Sequence, residues 1–470
     1  MQPFPKESSL LQYPASNVNT HRAAKTHTSA FAIRHVDTFV VFVMLTAPSK
    51  PFRPFNTVSY SSSILVRLAQ YVGGTGATFT LHVSDTDLPV LHEKLALTRL
   101  PDGLDGAGWG YGVPLAHVKR LVVRWKAGFD WRKSEEEINK LPQFTRDIPV
   151  EGFGTLSIHY LHQRSKLENA IPLLFVHGWP GHFLEVRKLL PGLVYPSFHV
   201  VALSLPGFGF SEAPKKKGFA SRQYAEVANK LMLSLGYNEY VAQGGDWGHE
   251  ITGFLSTYYG PTHVKGWLSN NTDALPPTLS AHPWLYIKHL LTPHSERERK
   301  GIAYTSAFKK TGSGYFIEQA TKPQTIGYSL ADSPAGLLAW IYEKLFLWTD
   351  EYPWDDDEVL EWVSIYWFSR AGPAVSLRIY KEMTGSRSHD SILGVRAPVP
   401  FGYSAFPKEL IQSPRTWLHT LGNVVFEREH ERGGHFAAHE QPEALVKDFQ
   451  DMFGKGGSAF GVVPGRNGYA

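Results

Sequence analysis

From Phe79 onward the chain switches between two hydrophobic periods, and the switches predict its elements. Ser84, followed three residues later by Asp87, marks a helix start, and Leu88, Leu91 and Leu95 then repeat at helical spacing before Leu100-Pro101. Leu115, Val118, Val122 and Trp125 make a second stripe after Pro114, and Glu135, Glu136 and Glu137 are expected to open a third, short polar helix. The alternating stretch Phe144 to Leu161 predicts a pair of strands turning at Glu151-Gly152. Continuous apolar runs follow at Ile171–Val176, Phe198–Leu205 and Tyr237–Gln243, the pattern of strands buried on both faces. Between the last two, Tyr224, Val227, Ala228, Leu231 and Leu235 repeat at intervals of three and four and stop at Gly236. This succession predicts a mostly parallel α/β sheet flanked by helices and built in order.

Between about Asn270 and Arg396 the alternation lapses into helical, aromatic, proline-punctuated sequence, which suits a lid over the sheet's C-terminal edge. Trp348, Trp354, Trp362, Tyr366 and Trp367 are expected in its core and pocket lining, and Asp355 to Glu358 as an acidic helix start. Strands resume at Pro398–Phe406 and Val424–Glu427. The expected division is an atypical, poorly ordered extension (1–78), a helical block packing against the sheet (79–143), the first half of the core (144–269), the lid (270–396), the second half of the core (397–455) and a tail (456–470). Residues 1–50 and 56–78 lack clear periodicity, and their apolar run Phe39–Leu45 falls short of the roughly 20 residues that span a bilayer. It also lies far from Met1 for a secretory signal. The expectation is a soluble, cytoplasmic protein without an integral membrane segment, compatible with peripheral membrane contact and with a homodimer.

Composition narrows the chemistry. Hydrophobic content of 43% and charge of 19% describe a globular chain. A net charge of +4 over 470 residues, with no basic stripe interleaved with aromatics, gives no reason to expect nucleic acid as a partner. The absence of cysteine excludes disulfides, thiolate metal sites and a cysteine nucleophile.

The candidate chemistry sits where strands end. VAQGGDWG, Val241 to Gly248, contains Gly244-x-Asp246-x-Gly248, the spacing of a nucleophile elbow with aspartate as the nucleophile. A glycine-rich turn with an aspartate capping the next helix looks the same, so the pentapeptide alone does not decide. His177-Gly178-Trp179-Pro180-Gly181 follows the first buried run, where backbone N–H groups can point into an active-site mouth. The backbones of Trp179 and Trp247 are the expected oxyanion donors. His177, Gly178 and Pro180 are expected beside the substrate pocket, His177 locking the loop rather than acting as a base. Asp246, Glu409 and His435 stand in the chain order nucleophile, acid, base, the last two each after a strand; Glu427, Glu429 and Glu431 are rival acids. His430-Glu431 with His435 and His439 departs from the H-E-x-x-H spacing, so neither metal nor cofactor is expected.

HGWPG, LPGFGFSEAP and GGDWG, in this order and spacing, resemble the motifs of epoxide hydrolases of the α/β-hydrolase fold. The helical block resembles the N-terminal domain of the microsomal-type branch, with fungal members nearest, and the resemblance spans about 79–455. Glu409 and His435 match that family's FP-x-E-L and RGGHFAA motifs, and Tyr315 and Tyr380 match the positions of its paired lid phenols. The resemblance implies hydrolysis of a small-molecule epoxide by water to a vicinal diol, through an ester on Asp246, without a cofactor. Phenols suit such a role because the epoxide oxygen leaves as an alkoxide that must be hydrogen-bonded and protonated. Haloalkane dehalogenases share the aspartate elbow, and a catalytically inactive hydrolase fold used for binding is a third reading; the tyrosine pair argues against the first and the complete triad against the second.

Overall fold

The computed structural model describes residues 76–385 and 396–470, all within one compact unit, Ser61–Ala470. The expectations for residues 1–75, the apolar run Phe39–Leu45 among them, lie outside the described residues. The strands are β1 (Ala77–Thr78), β2 (Gln143–Val150), β3 (Gly154–Gln163), β4 (Ile171–Val176), β5 (Phe198–Leu203), β6 (Tyr240–Gly244), β7 (Val264–Ser269), β8 (Ala397–Ala405) and β9 (Gly422–Glu429). They form one sheet in the order β1-β2-β3-β5-β4-β6-β7-β8-β9. The pairs up to β3–β5 are antiparallel, and those from β5–β4 to β8–β9 are parallel. Every residue of β4 is buried, Leu174 and Val176 in one apolar cluster and Leu173 and Phe175 in the other. Each such side chain contributes about 1.5–3 kcal/mol when fully removed from water.

The parallel strands are not laid down in order. β5 lies outside β4, and the chain returns through helix Ser221–Ser234 to place β6 on β4's other edge. Periodicity is blind to this, because either edge of β4 satisfies the same doubly buried run. The reversal opens a crevice at the C-terminal ends of β4 and β6, the usual ligand position of such sheets.

Other boundaries also differ. Ala77 and Thr78 pair with Thr145 and Phe144, so the sheet begins inside the stretch expected to be atypical. The third N-terminal helix is Trp131–Asn139, starting ahead of the glutamate run because the Asp130 carboxylate accepts from the Lys133 N–H at 3.3 Å. Glu135 is then buried, accepting from the Val83 N–H at 2.6 Å and pairing with Arg132 at 2.6 Å. Helices Asp87–Ala96 and Leu115–Ala127 pack on the helical insertion between β7 and β8, with Arg120–Asp356 at 2.9 Å and Arg124–Asp357 at 2.7 Å joining them. The acidic run Asp355 to Glu358 therefore both caps helix Asp356–Trp367 and ties the insertion to the N-terminal block. At the C-terminus Ala459, Val463 and Tyr469 are buried, and Gly468 accepts from the Ser197 N–H at 2.8 Å. Among the described residues no helix is long and apolar enough to cross a membrane.

Candidate active site

Asp246 sits at φ 51°, ψ −130°, between the end of β6 and helix Trp247–Tyr258. A side chain in such a sparsely populated region costs about 1–3 kcal/mol and persists only where its surroundings over-determine it. Here they do: a Cβ at Gly244 would strike the Gly248 carbonyl, and one at Gly248 the Val176 carbonyl. Sheet register then gathers the other groups. Val176 pairs with Gly244, so the loop from His177 to Gly181 emerges beside Asp246. Gly244 pairs with Ser269 and Ser269 with Tyr403; Ala405 pairs with Glu429, and Lys408 bridges to Gly434. The segments leaving β8 and β9 thus carry Glu409 and His435 to the same edge.

The Asp246 Oδ1 accepts from the Trp179 N–H at 2.8 Å, the Trp247 N–H also donates to the carboxylate, and Oδ2 lies 3.6 Å from the His435 Nε2. The His435 Nδ1 is 2.8 Å from Glu409 Oε1, and since an ionised carboxylate only accepts, Nδ1 carries the proton. Glu409, fully buried, also accepts from the Leu410 N–H at 2.7 Å and the Asn271 amide at 3.1 Å. The rival acids are engaged elsewhere: Glu427 holds Arg415 at 2.6 Å, Glu429 lies 3.7 Å from Arg297, and Glu431 is exposed. Burial disfavours charge on His435, but the bonded Glu409 carboxylate, with Asp246 adding, outweighs it and pushes the imidazole up to about 9. Burial likewise raises the Asp246 carboxyl, opposed by His435 and the two N–H donors. An imidazolium facing a buried carboxylate favours the ionised aspartate that a nucleophile requires.

Tyr315 and Tyr380 come from helices Gly314–Thr321 and Arg378–Gly385, which pack on one another. Their ring centroids are 5.8 Å apart; Tyr315 stacks on Trp179 at 5.5 Å, and Tyr380 meets Trp247 edge-on at 4.9 Å. Both are buried beside Asp246, and burial first, with the Asp246 charge adding, raises both phenols well above their usual range.

Of the three loop residues expected beside the substrate, Gly178 lies against Asp246, where an added Cβ would collide with the carboxylate. His177 turns inward: its Nε2 accepts from the Leu205 N–H at 3.2 Å, and burial lowers it to about 4. The Pro180 carbonyl accepts from the Trp362 indole at 2.6 Å. Both residues fix the loop, His177 to the segment after β5 and Pro180 to the helical insertion. His439, the partner weighed in the metal motif, is instead 2.8 Å from Glu358.

Sequence reasoning missed Glu185, Gln243 and Asn270, which line a cavity against Asp246, and Asn271, which supports Glu409. Signals existed for some of them. Asn270-Asn271 follows a buried strand at the same sheet edge as the elbow, and Glu185 is the lone acid in the apolar stretch after HGWPG.

The family model described as the epoxide hydrolase N terminus matches residues 77–186, and that of the alpha/beta hydrolase fold matches 171–314. A putative epoxide hydrolase of Stigmatella aurantiaca is 40% identical over 390 residues, covering 80% of this chain and 84% of the relative. Epoxide hydrolase 1 of Sus scrofa is 36% identical over 413 residues, covering 80% and 88%. The solved structure of the Aspergillus niger epoxide hydrolase, 33% identical, aligns over 81% of this chain and 96% of its own with a TM-score of 0.70. With two relatives above 30% identity covered over most of their length, and the same fold in a solved member, the chain belongs to the epoxide hydrolase family.

Proposed function

We propose that this chain hydrolyses epoxides to vicinal diols in two steps on Asp246, under a lid formed by the helical insertion. The observation that carries the reading is a carboxylate at a strained elbow, held by two backbone N–H groups and facing an imidazole, with two buried phenols beside it. Ionised Asp246 attacks one epoxide carbon while Tyr315 and Tyr380 hold the oxygen and supply its proton. Phenols raised well above their usual range stay protonated at neutral pH, the state a proton donor needs. The ester leaves Asp246 uncharged, which removes one of the charges holding the proton on His435 and readies the imidazole as a base. His435, oriented by Glu409, then deprotonates a water that attacks the Asp246 carboxyl carbon, and the Trp179 and Trp247 N–H groups hold the oxyanion. Aspartate suits this chemistry because water cleaves its ester, whereas a serine ether would persist.

The test against the dehalogenase reading is product identity: styrene oxide should yield its diol, and a chloroalkane should release no halide. Halide release without diol formation would reverse the assignment. Tyr315→Phe and Tyr380→Phe should each slow alkylation about 10²-fold, with a larger loss in the double variant. Rapid-quench kinetics measure this, and an unchanged alkylation rate in the double variant would remove the phenols from the mechanism.

A further inference from the structure

The cavity against Asp246 has features that opening the epoxide does not use. Neither Tyr315 nor Tyr380 is among the residues that line it. It does touch Asp246 and His435, and its remaining polar side chains are Glu185, Gln243 and Asn270. Gln243, 1% exposed, donates through Nε2 to Asn270 Oδ1 at 2.9 Å, which leaves its buried Oε1 without a partner. Glu185 is carried on the short helix Phe183–Lys188, its Oε1 lying so close over Gly181 that a Cβ there would collide with it. The 3.6 Å between His435 Nε2 and Asp246 Oδ2 is longer than a direct hydrogen bond, so Nε2 is not committed to the carboxylate and can bond a water beside it. An ordered water takes two to four polar partners, and this cavity offers that set beside the carboxyl carbon to be attacked.

We infer that Glu185 and Gln243 hold the hydrolytic water against His435 Nε2, which makes Glu185 a catalytic residue of the second step. The inference rests on the two-step reading above. The held water gives a proton to His435 Nε2 while its oxygen lone pair forms a bond to the Asp246 carboxyl carbon. Collapse of that adduct breaks the bond from the carboxyl carbon to the substrate oxygen, and the departing alkoxide takes the imidazolium proton. Burial, opposed by His435 and reinforced by Asp246, pushes Glu185 up to about 8. At neutral pH it therefore orients water as a neutral carboxyl, without a second anion beside the nucleophile.

Single turnovers of styrene oxide, quenched and followed by intact mass, separate ester formation from ester hydrolysis. Glu185→Met should leave alkylation within about threefold of the parent and slow ester hydrolysis about 10²-fold, so that the ester accumulates. Glu185→Gln, which keeps a neutral hydrogen-bonding group, should recover most of that loss. If Glu185→Met fails to fold, Gln243→Met takes its place and should show the same selective slowing. Hydrolysis at the parental rate, equal slowing of both steps, or no recovery in Glu185→Gln would overturn the inference while leaving the two-step reading intact. Failure of the parent chain to form any ester would overturn both.

Discussion

Replacing His435 with glutamine should convert the enzyme into one that reacts once and stops. Alkylation needs an ionised Asp246 and protonated phenols, and the two backbone N–H donors that favour the carboxylate remain in the variant. Hydrolysis of the ester needs a base within reach of a water beside Asp246, and glutamine supplies none. Turnover should fall by about 10³–10⁴-fold, the upper range for loss of a general base. Intact mass should show one substrate molecule added per chain, and peptide mapping should place it on Asp246. A variant that turns over freely, or stays unmodified in excess epoxide while folded, would remove His435 from the second step.

Asp246→Asn should abolish turnover by at least about 10⁴-fold without any adduct, because an amide neither attacks the epoxide nor forms an ester that water can release. The fold should survive, since asparagine is nearly isosteric with aspartate and meets the same surroundings that hold residue 246 at φ 51°. The same substitution removes one of the charges that hold the proton on His435. Its imidazole should then titrate below about 9, moving toward the usual histidine value, as read by ¹⁵N NMR. An unmoved titration would mean that Asp246 and His435 do not interact as their 3.6 Å separation implies.

The parts of this site that could be read from sequence are those whose signal is local. The elbow announces itself because its tight bend excludes a Cβ at Gly244 and Gly248. Glu409 and His435 announce themselves as polar residues following strands that parallel pairing brings to one edge. The strand reversal at β4 was hidden because a doubly buried strand has no marked edge. Helix Trp131–Asn139 starts ahead of its acidic run because Asp130 supplies the cap, a signal that the three consecutive glutamates mask. Tyr315 and Tyr380 carry no pattern that separates them from the other tyrosines among 21, and only the family motifs singled them out. Glu185 and Gln243 gain meaning only when β4 and β6 are side by side, a three-dimensional fact.

The proposed covalent joining of Asp246 to the substrate is reached directly by one labelling measurement. In a single turnover of excess enzyme in H₂¹⁸O, the label should enter the Asp246 carboxylate, detected in the peptide that contains it, and the diol should leave unlabelled. A labelled diol with an unlabelled Asp246 would mean that water attacks the epoxide itself, and the ester mechanism would be wrong.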